Sequence, residues 1–139
     1  MAVLTTATAR ADDRRHGASP RRPQEDSMVI VQINYRRPDM PQAEWAKRYT
    51  DELGRMFLSV EGLQWKIWLE DESDAQRSGG IYLFADRRTA DAYMAGPIVA
   101  KMKANAAISE LQIRSFAVRE NMSRITNAPV PGLLAMAAE

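Results

Sequence analysis

Two short segments of the chain place aromatic, basic and acidic side chains in alternation. Residues 63–70 read LQWKIWLE and residues 81–85 read IYLFA. In a β-strand, alternate side chains lie on the same face of the sheet. This spacing predicts one face that carries Lys66, Trp68, Glu70, Tyr82 and Phe84. A few convergent polar groups among aromatic side chains are typical of a site for a small molecule.

The composition narrows the chemistry that such a site could perform. The chain has no cysteine and a single histidine, His16, so thiolate metal sites, a cysteine nucleophile and a two-histidine metal site are excluded. The acids that cluster in residues 70–74 lack a calcium-loop pattern, and Gly79-Gly80 opens a strand, whereas a flavin phosphate favours a glycine-rich turn that opens a helix. We therefore expect no cofactor and no metal.

The charge balance bears on the partners of the protein. Nineteen basic and 18 acidic residues give a net charge of +1, which is too small a basic excess for a typical nucleic-acid binder. No apolar run approaches the length of a membrane span. Residues 1–27 contain His16 but no aromatic residue and no apolar centre of the kind that a secretory signal needs. We expect a cytoplasmic protein whose residues 1–27 form a disordered or loosely attached leader.

The elements that position the alternating residues follow a recognisable order. The apolar patterns predict strands at 28–34, 63–70, 81–85 and 109–120. A helix of about 17 residues follows the first strand, begins at a capping box formed by Asp39 and Gln42, and ends at Glu61-Gly62. A second helical region follows the third strand, with Asp86 as its N-cap and an interruption at Gly96-Pro97. This β-α-β-β-α-β order predicts an α+β fold, the ferredoxin-like antiparallel sheet with both helices on one face. The domain is expected over residues 28–120, followed by a C-terminal extension at 121–139 that could reach a partner subunit.

The second face of this sheet has no helix to cover it. The predicted face under the helices is aliphatic, with Val29, Val31, Ile33, Leu63, Trp65, Ile67, Leu69, Ile81, Leu83 and Ala85. The opposite face is predicted to carry Gln32, Asn34, Gln64, Lys66, Trp68, Glu70, Tyr82, Phe84, Arg114 and Phe116. An exposed patch with four large aromatic side chains is unusual for a monomer. We expect a homodimer in which two such faces enclose a small-molecule site.

Residues 62–93 resemble the YdhR-like monooxygenase family. The resemblance is carried by Trp65-Lys66-Ile67-Trp68, an acidic loop, and Gly79 to Phe84 before a helix, and it extends from about Met28 to Val130. It implies a dimeric α/β barrel related to the antibiotic-biosynthesis monooxygenases. It also implies a cofactor-independent oxidation of phenol-, anthrone- or quinol-like substrates by molecular oxygen. Related barrels that degrade haem use a histidine ligand, which the predicted domain lacks.

The predicted face and the resemblance together suggest roles for individual residues. Without a metal or flavin, the site must make the substrate electron-rich by stabilising its anion. Hydrogen bonds or positive charge from Asn34, Lys66 and Arg114 could do so, and Glu70 or Tyr82 could relay the proton. The substrate-binding candidates are Gln32, Trp68, Phe84 and Phe116, of which Trp68 and Phe84 could stack on a flat ring. Two alternatives stay open. One is a dimeric binding or stress-related module that holds a small aromatic ligand without turnover, and the other is a purely structural dimer.

Overall fold

A computed structural model describes residues 27–130, and the expected leader lies almost entirely outside the described residues. The chain forms β1 (Val29–Arg36), α1 (Gln42–Ala46), α2 (Asp51–Met56), a 3-10 turn (Phe57–Ser59), β2 (Leu63–Glu70) and β3 (Arg77–Phe84). It continues as α3 (Arg87–Met94), α4 (Pro97–Ala104), β4 (Ser109–Ala117) and α5 (Glu120–Ile125). The four strands make one antiparallel sheet in the order β2-β3-β1-β4. This is the predicted ferredoxin-like α+β fold.

The first helical region is broken where the sequence predicted one continuous helix. α1 begins after Pro41, which makes no side-chain cap, so the predicted capping box of Asp39 and Gln42 is absent. The backbone turns extended at Thr50, whose hydroxyl accepts a hydrogen bond from the Leu53 amide at 3.1 Å and caps α2. The N-cap at Thr50 therefore divides the apolar residues of the predicted helix between two short helices.

The second helical region agrees with the prediction. Asp86 caps α3 by accepting a hydrogen bond from the Thr89 amide at 2.9 Å. Pro97 occupies the first turn of α4, where its missing N–H costs no hydrogen bond. α3 and α4 pack on the same sheet face as Phe57 of the 3-10 turn.

The main core lies between the helices and this face. Val29, Val31 and Ile33 are buried there, as predicted from β1. The assignment of β3 is wrong: Tyr82 pairs with Val31 and Phe84 pairs with Val29, so both aromatic side chains face the helices. Leu83 instead points to the opposite face with Met28 and Val130.

A register shift in β2 exchanges the predicted faces of that strand as well. Leu63 packs on the helix-covered core, but the pairing with β3 shifts between Leu63 and Trp65. Beyond the shift, Trp65 pairs with Leu83 and Lys66 pairs with Tyr82. The extra residue moves Trp65, Ile67 and Leu69 to the uncovered face and leaves Lys66, Trp68 and Glu70 on the helix side.

The uncovered face, which we call the open face, is partly covered at one end by the chain after β4. The Trp65 Nε1 donates a hydrogen bond to the carbonyl of Pro129 at 2.9 Å, and Val130 is buried against Leu83. The beginning of the predicted C-terminal extension thus packs against the open face of the sheet. Elsewhere the open face exposes apolar side chains, with Ile67 48% and Phe116 46% accessible.

A candidate active site between the sheet and the helices

A cavity of about 890 Å³ lies between the helix-covered sheet face and the helices. Its volume is in the range of natural small-molecule sites. The floor includes Gly80, Lys66 and Tyr82 from the sheet, and α4 supplies part of the wall through Lys101 and Met102. The residues around α1 and α2 complete the lining with Trp45, Arg48, Tyr49, Leu53 and Met56.

Gly80 has no side chain and therefore leaves space in the cavity beside the amine of Lys66. A Cβ atom at this position would lie 3.0 Å from Cε of Lys66 and 3.3 Å from Cε1 of Tyr82. Its neighbour Gly79 lies against β1, where a Cβ atom would overlap the carbonyl oxygen of Ile33. The glycine pair therefore lies inside β3 and permits close packing there, instead of opening the strand as predicted.

Lys66 is held among aromatic rings at the centre of the site. Its Nζ lies 3.3 Å from the centroid of the Trp68 ring, 3.7 Å from that of Phe57 and 4.7 Å from that of Tyr82. Within residues 27–130, Lys66 forms no ion pair. Burial lowers the pKa of the Lys66 amine to about 7. Cation–π attraction to the ring faces offsets part of the free energy that the ammonium loses when it leaves water. The amine can therefore take up or release a proton near neutral pH.

The rings around Lys66 belong to one connected aromatic cluster. All aromatic residues of the chain except Trp65 and Phe116 take part in it, with ring centroids of neighbours at most 6.4 Å apart. Trp68 packs edge-on against Phe57 at 5.3 Å and Tyr49 at 5.8 Å. Trp45 Nε1 donates a hydrogen bond of 2.8 Å to the Tyr49 hydroxyl. These contacts fix the walls that a flat ligand would stack against.

Two tyrosines of the site, Tyr35 and Tyr82, remain protonated at neutral pH. Burial raises the pKa of Tyr35 to about 12. Burial also raises the pKa of Tyr82, and the neighbouring Tyr93 adds to this effect. Their hydroxyls can donate hydrogen bonds but cannot serve as bases there. Lys66 is thus the group in this cavity suited to accept a proton.

The predicted site residues do not form one group. Lys66, Trp68, Glu70, Tyr82 and Phe84 lie on the helix side of the sheet, whereas Gln32, Asn34, Arg114 and Phe116 lie on the open face. Lys66, Trp68 and Tyr82 line the cavity, and Phe84 is fully buried beneath it in contact with Tyr82 and Tyr93. Their predicted position on the uncovered face is wrong, because the β2 register shift and the β3 pairing place them under the helices.

The other predicted residues do not converge with Lys66. On the open face, Gln32 pairs with Arg114 and Ile30 pairs with Phe116. Asn34 and Glu70 line a smaller groove of about 390 Å³ at the sheet end. The Glu70 carboxylate accepts a hydrogen bond from Gln42 Nε2 at 2.9 Å. The sheet lies between Lys66 and the open-face residues, so one substrate in the cavity cannot contact Lys66, Asn34 and Arg114 together.

Several cavity residues were not predicted to belong to a site. Trp45 and Tyr49 have the spacing of a helix core face, which hides their contribution to a cavity wall. Tyr35 is the last residue but one of β1 and lies on the helix side, and Arg48 and Lys101 come from surface positions. The sequence does contain one signal for these walls: residues 45–57 include three aromatic residues, and β2, which faces them, is rich in tryptophan.

The described part of the chain has neither a metal-binding cluster nor a membrane-spanning helix. Residues 27–130 contain no group of three or more histidine, cysteine or acidic side chains placed to hold a metal ion. Over the same range, no helix has both the length and the apolar character required to cross a bilayer.

Comparison with known proteins identifies the family. The sequence profile described as "Putative mono-oxygenase ydhR" matches residues 30–129. This chain belongs to that mono-oxygenase family. The matched range covers the whole sheet apart from Val29, the cavity, and the segment that reaches Trp65 from the C-terminal side. A search of curated proteins finds no significant match.

Solved structures show the same fold at low sequence identity. SnoaB, a cofactor-independent oxygenase from Streptomyces nogalater, superposes with a TM-score of 0.51 at 16% identity, covering 67% of this chain and 94% of SnoaB. The NE2512 protein of unknown function from Nitrosomonas europaea gives a TM-score of 0.54 at 18% identity, over 68% and 92% of the two chains. A protein from Deinococcus radiodurans, described as a "putative antibiotic biosynthesis monooxygenase", gives a TM-score of 0.52 at 14% identity, over 65% and 91% of the two chains. The YdhR-type chain thus shares the ferredoxin-like fold of these proteins.

Proposed function

We propose that this YdhR-type protein is a cofactor-independent monooxygenase that oxidises a flat phenol-, anthrone- or quinol-like substrate in the cavity between sheet and helices. The observation that carries the proposal is the Lys66 amine, held in an aromatic cage with its pKa lowered to about 7. The family membership supports the general reaction type.

The proposed reaction begins with proton transfer to Lys66. The neutral amine takes a proton from an activated methylene or hydroxyl group, and the resulting ammonium stabilises the substrate anion. That anion is electron-rich enough to reduce molecular oxygen. For a methylene substrate, one oxygen atom becomes the product carbonyl oxygen and the other leaves as water with the two hydrogens. The substrate supplies all the electrons, so no separate reductant is required.

The aromatic cluster supports the choice of substrate. Trp68 and Phe57 offer ring faces and edges on either side of the Lys66 amine, and Leu53 adds an apolar surface. Flat aromatic molecules stack favourably in such an environment. Protonated Tyr35 and Tyr82 can donate hydrogen bonds to oxygen atoms of the bound ring.

Oxygen uptake with anthrone tests the proposal. We expect the protein, without added metal or flavin, to accelerate oxygen consumption and form anthraquinone, with one atom of isotope-labelled oxygen in the new carbonyl. Lys66→Met should lower the rate about 100-fold or more, the usual contribution of a positioned base. Lys103→Met is the matched control, because Lys103 is exposed on α4 and does not line the cavity.

Two results would refute the proposed reaction. Anthrone oxidation that is unaffected by Lys66→Met would show that Lys66 is not the base. Tight binding of anthrone with no oxygen uptake above the protein-free rate would favour the alternative, a binding module without turnover.

We also propose that the protein is a homodimer that associates through the open face. Exposed Ile67 and Phe116 lie there beside Gln32 and Arg114, and no helix among residues 27–130 covers them fully. Burial of such a mixed apolar and polar face against its symmetric copy would remove the apolar groups from water. In this arrangement the two cavities lie on the outer sides of the paired sheets. This homodimer therefore does not enclose the site between its two sheets, in contrast to the prediction from the sequence.

A further inference from the structure

We infer that the substrate of the cavity carries a fixed anionic group, a carboxylate or an acidic phenolate, in addition to its reacting position. This inference rests on the proposed function and specifies the substrate class. Three basic residues line the cavity, Arg48, Lys66 and Lys101, whereas none of the described lining residues is acidic. The whole chain has a net charge of only +1, so the cavity lining is much more positively charged than the chain as a whole.

The two outer bases are available to a ligand. Within residues 27–130, neither Arg48 nor Lys101 forms an ion pair, whereas Lys47, which neighbours Arg48, pairs with Glu44 at 3.8 Å. Arg48 is nevertheless held in place, because its guanidinium lies 4.8 Å from the centroid of the Trp45 ring. A stacked guanidinium keeps its N–H groups directed outward, where they can bind a carboxylate.

The adjoining surface does not cancel this charge. A neighbouring groove of about 550 Å³ shares Tyr49, Leu53 and Trp68 with the cavity and adds Asp51 and Arg55. These two residues pair with each other across 3.8 Å, one turn apart on α2. The neighbouring acid is therefore already matched by its own base. A cavity lined by one sign of charge attracts ligands of the opposite sign.

Position separates the roles of the three bases. Lys66 lies half-buried in the ring cage. Arg48, which follows α1, and Lys101 of α4 line the cavity but are exposed to solvent, so we refer to these two residues as the entrance bases. We assign Lys66 to the reacting end of the substrate and Arg48 with Lys101 to its acidic end. The apolar ring system of the substrate would occupy the space between them, against Trp68 and Leu53.

Calorimetric titration of two matched ligands tests the inference. 1-Hydroxy-2-naphthoate and 1-naphthol share a flat ring and a hydroxyl group, and only the first carries a carboxylate. We expect the carboxylate to bind at least tenfold more tightly. That preference should shrink several-fold in Arg48→Gln and in Lys101→Met, and should vanish in the double variant. It should also weaken between about 50 mM and about 500 mM salt, because exposed charges are screened.

Matched controls distinguish the entrance bases from general surface charge. Lys47→Gln and Lys103→Met remove the same charge from neighbouring positions that do not line the cavity, and both should retain the preference. Thermal unfolding of each variant checks that the fold is intact. Retention of the preference in the folded double variant would overturn the assignment.

The outcomes separate this inference from the proposed function. Equal binding of both ligands, with anthrone oxidation intact, would overturn the acidic substrate class and leave the oxygenase in place. No binding of either ligand, together with no oxygen uptake, would reject the cavity as the site and both proposals with it.

Discussion

Lys66 couples the chemistry of the site to the stability of the fold. Its pKa falls from about 10.5 in the unfolded chain to about 7 in the folded protein because burial disfavours the ammonium form. Between these two values the unfolded state binds more protons, so this residue makes the free energy of unfolding rise with pH. Below pH 7 both states are protonated, and the cost of burying the charge is fully present.

Replacement of Lys66 by methionine should therefore stabilise the protein in a pH-dependent way. We expect Lys66→Met to raise the urea midpoint at about pH 6. The gain should shrink at about pH 10, because the wild-type amine is then neutral in the folded state and the unfolded amine, with a pKa of about 10.5, is close to losing its proton as well. Lys103→Met, on the exposed side of α4, should show no such trend. A gain that is constant across this range would mean that Lys66 keeps its ordinary pKa.

The activity of the wild-type enzyme should change over the same region. A base with a pKa of about 7 predicts that oxygen uptake at saturating substrate increases as the pH is raised through 7 and then levels off. The pH profile of initial rates, corrected for the protein-free reaction, measures this. A rate that falls across neutral pH would require a protonated Lys66 and would contradict its assignment as the base.

The glycine pair of β3 offers a second test at the scale of single residues. In Gly80→Ala, the new methyl group lies 3.0 Å from Cε of the flexible Lys66 side chain and 3.2 Å from the carbonyl oxygen of Ile67. Lys66 can move aside and the backbone contact is only tight, so we expect a modest loss of stability, about 1 kcal/mol, and a clear loss of activity. In Gly79→Ala, the methyl group collides with the backbone of Ile33, so we expect a larger loss, about 3 kcal/mol or more. Urea unfolding and oxygen uptake measure the two effects. The reverse ranking in stability would mean that the β3 register is wrong.

At the scale of secondary-structure elements, β1 shows how far the sequence determines the sheet. The β-branched residues of β1 were correctly predicted to face the helices, and the α+β order followed from apolar periodicity. The faces of β2 and β3 could not be predicted, because both sides of those strands carry large apolar side chains. Trp65 and Trp68 are separated by an odd number of positions and do lie on opposite faces, but a one-residue bulge decides which face each takes.

The candidate site was predicted in part for the same reason. Lys66, Trp68 and Tyr82 were predicted to share a face of the sheet, and they do share one. The prediction failed only in which face this is, because both strands are turned over together. Asn34 and Arg114 were grouped with them only because the register was inverted. The cavity walls from α1 and α4 depend on packing between elements distant in the sequence, which strand alternation does not report.

β4 begins with a distorted pairing that one acidic residue holds in place. Its register to β1 shifts between Asn34 and Arg36, and Glu110 adopts a φ of 53°, in the left-handed region. The Glu110 carboxylate accepts hydrogen bonds from Arg36 at 2.8 Å and from Arg77 at 3.3 Å. Side-chain pairing thus offsets the backbone strain at this position.

Two substitutions separate the strain from the pairing. Glu110→Ala loses the ion pairs and keeps the strain, whereas Glu110→Gly loses the pairs and relieves it. Solvent screens these exposed ion pairs, so their loss costs little, whereas the left-handed backbone costs about 1 kcal/mol. We expect Glu110→Gly to be about 1 kcal/mol more stable than Glu110→Ala by urea unfolding. An alanine variant of equal or greater stability would show that residue 110 is unstrained.

At the scale of the whole molecule, the proposed dimer can be tested by light scattering. We expect about 31 kDa at micromolar concentration, twice the chain mass of 15.6 kDa. Phe116→Glu and Ile67→Glu, which place a charge on the open face, should shift the mass towards the monomer. Leu58→Glu is the control, because Leu58 is 82% exposed but does not lie on the sheet. A monomeric wild-type protein at that concentration would contradict the proposed association.

The lining of the cavity includes two methionines, Met56 and Met102, within reach of any molecule bound beside Lys66. Thioethers are oxidised readily to sulfoxides, which are polar and chiral. Peroxide or superoxide that escapes the proposed reaction before product forms would meet these sulfur atoms early. Each such escape would replace part of the apolar wall by a polar one and weaken the binding of a flat ring. The protein would then lose activity in proportion to the number of turnovers it has completed. Methionine sulfoxide reductase would restore the oxidised side chains.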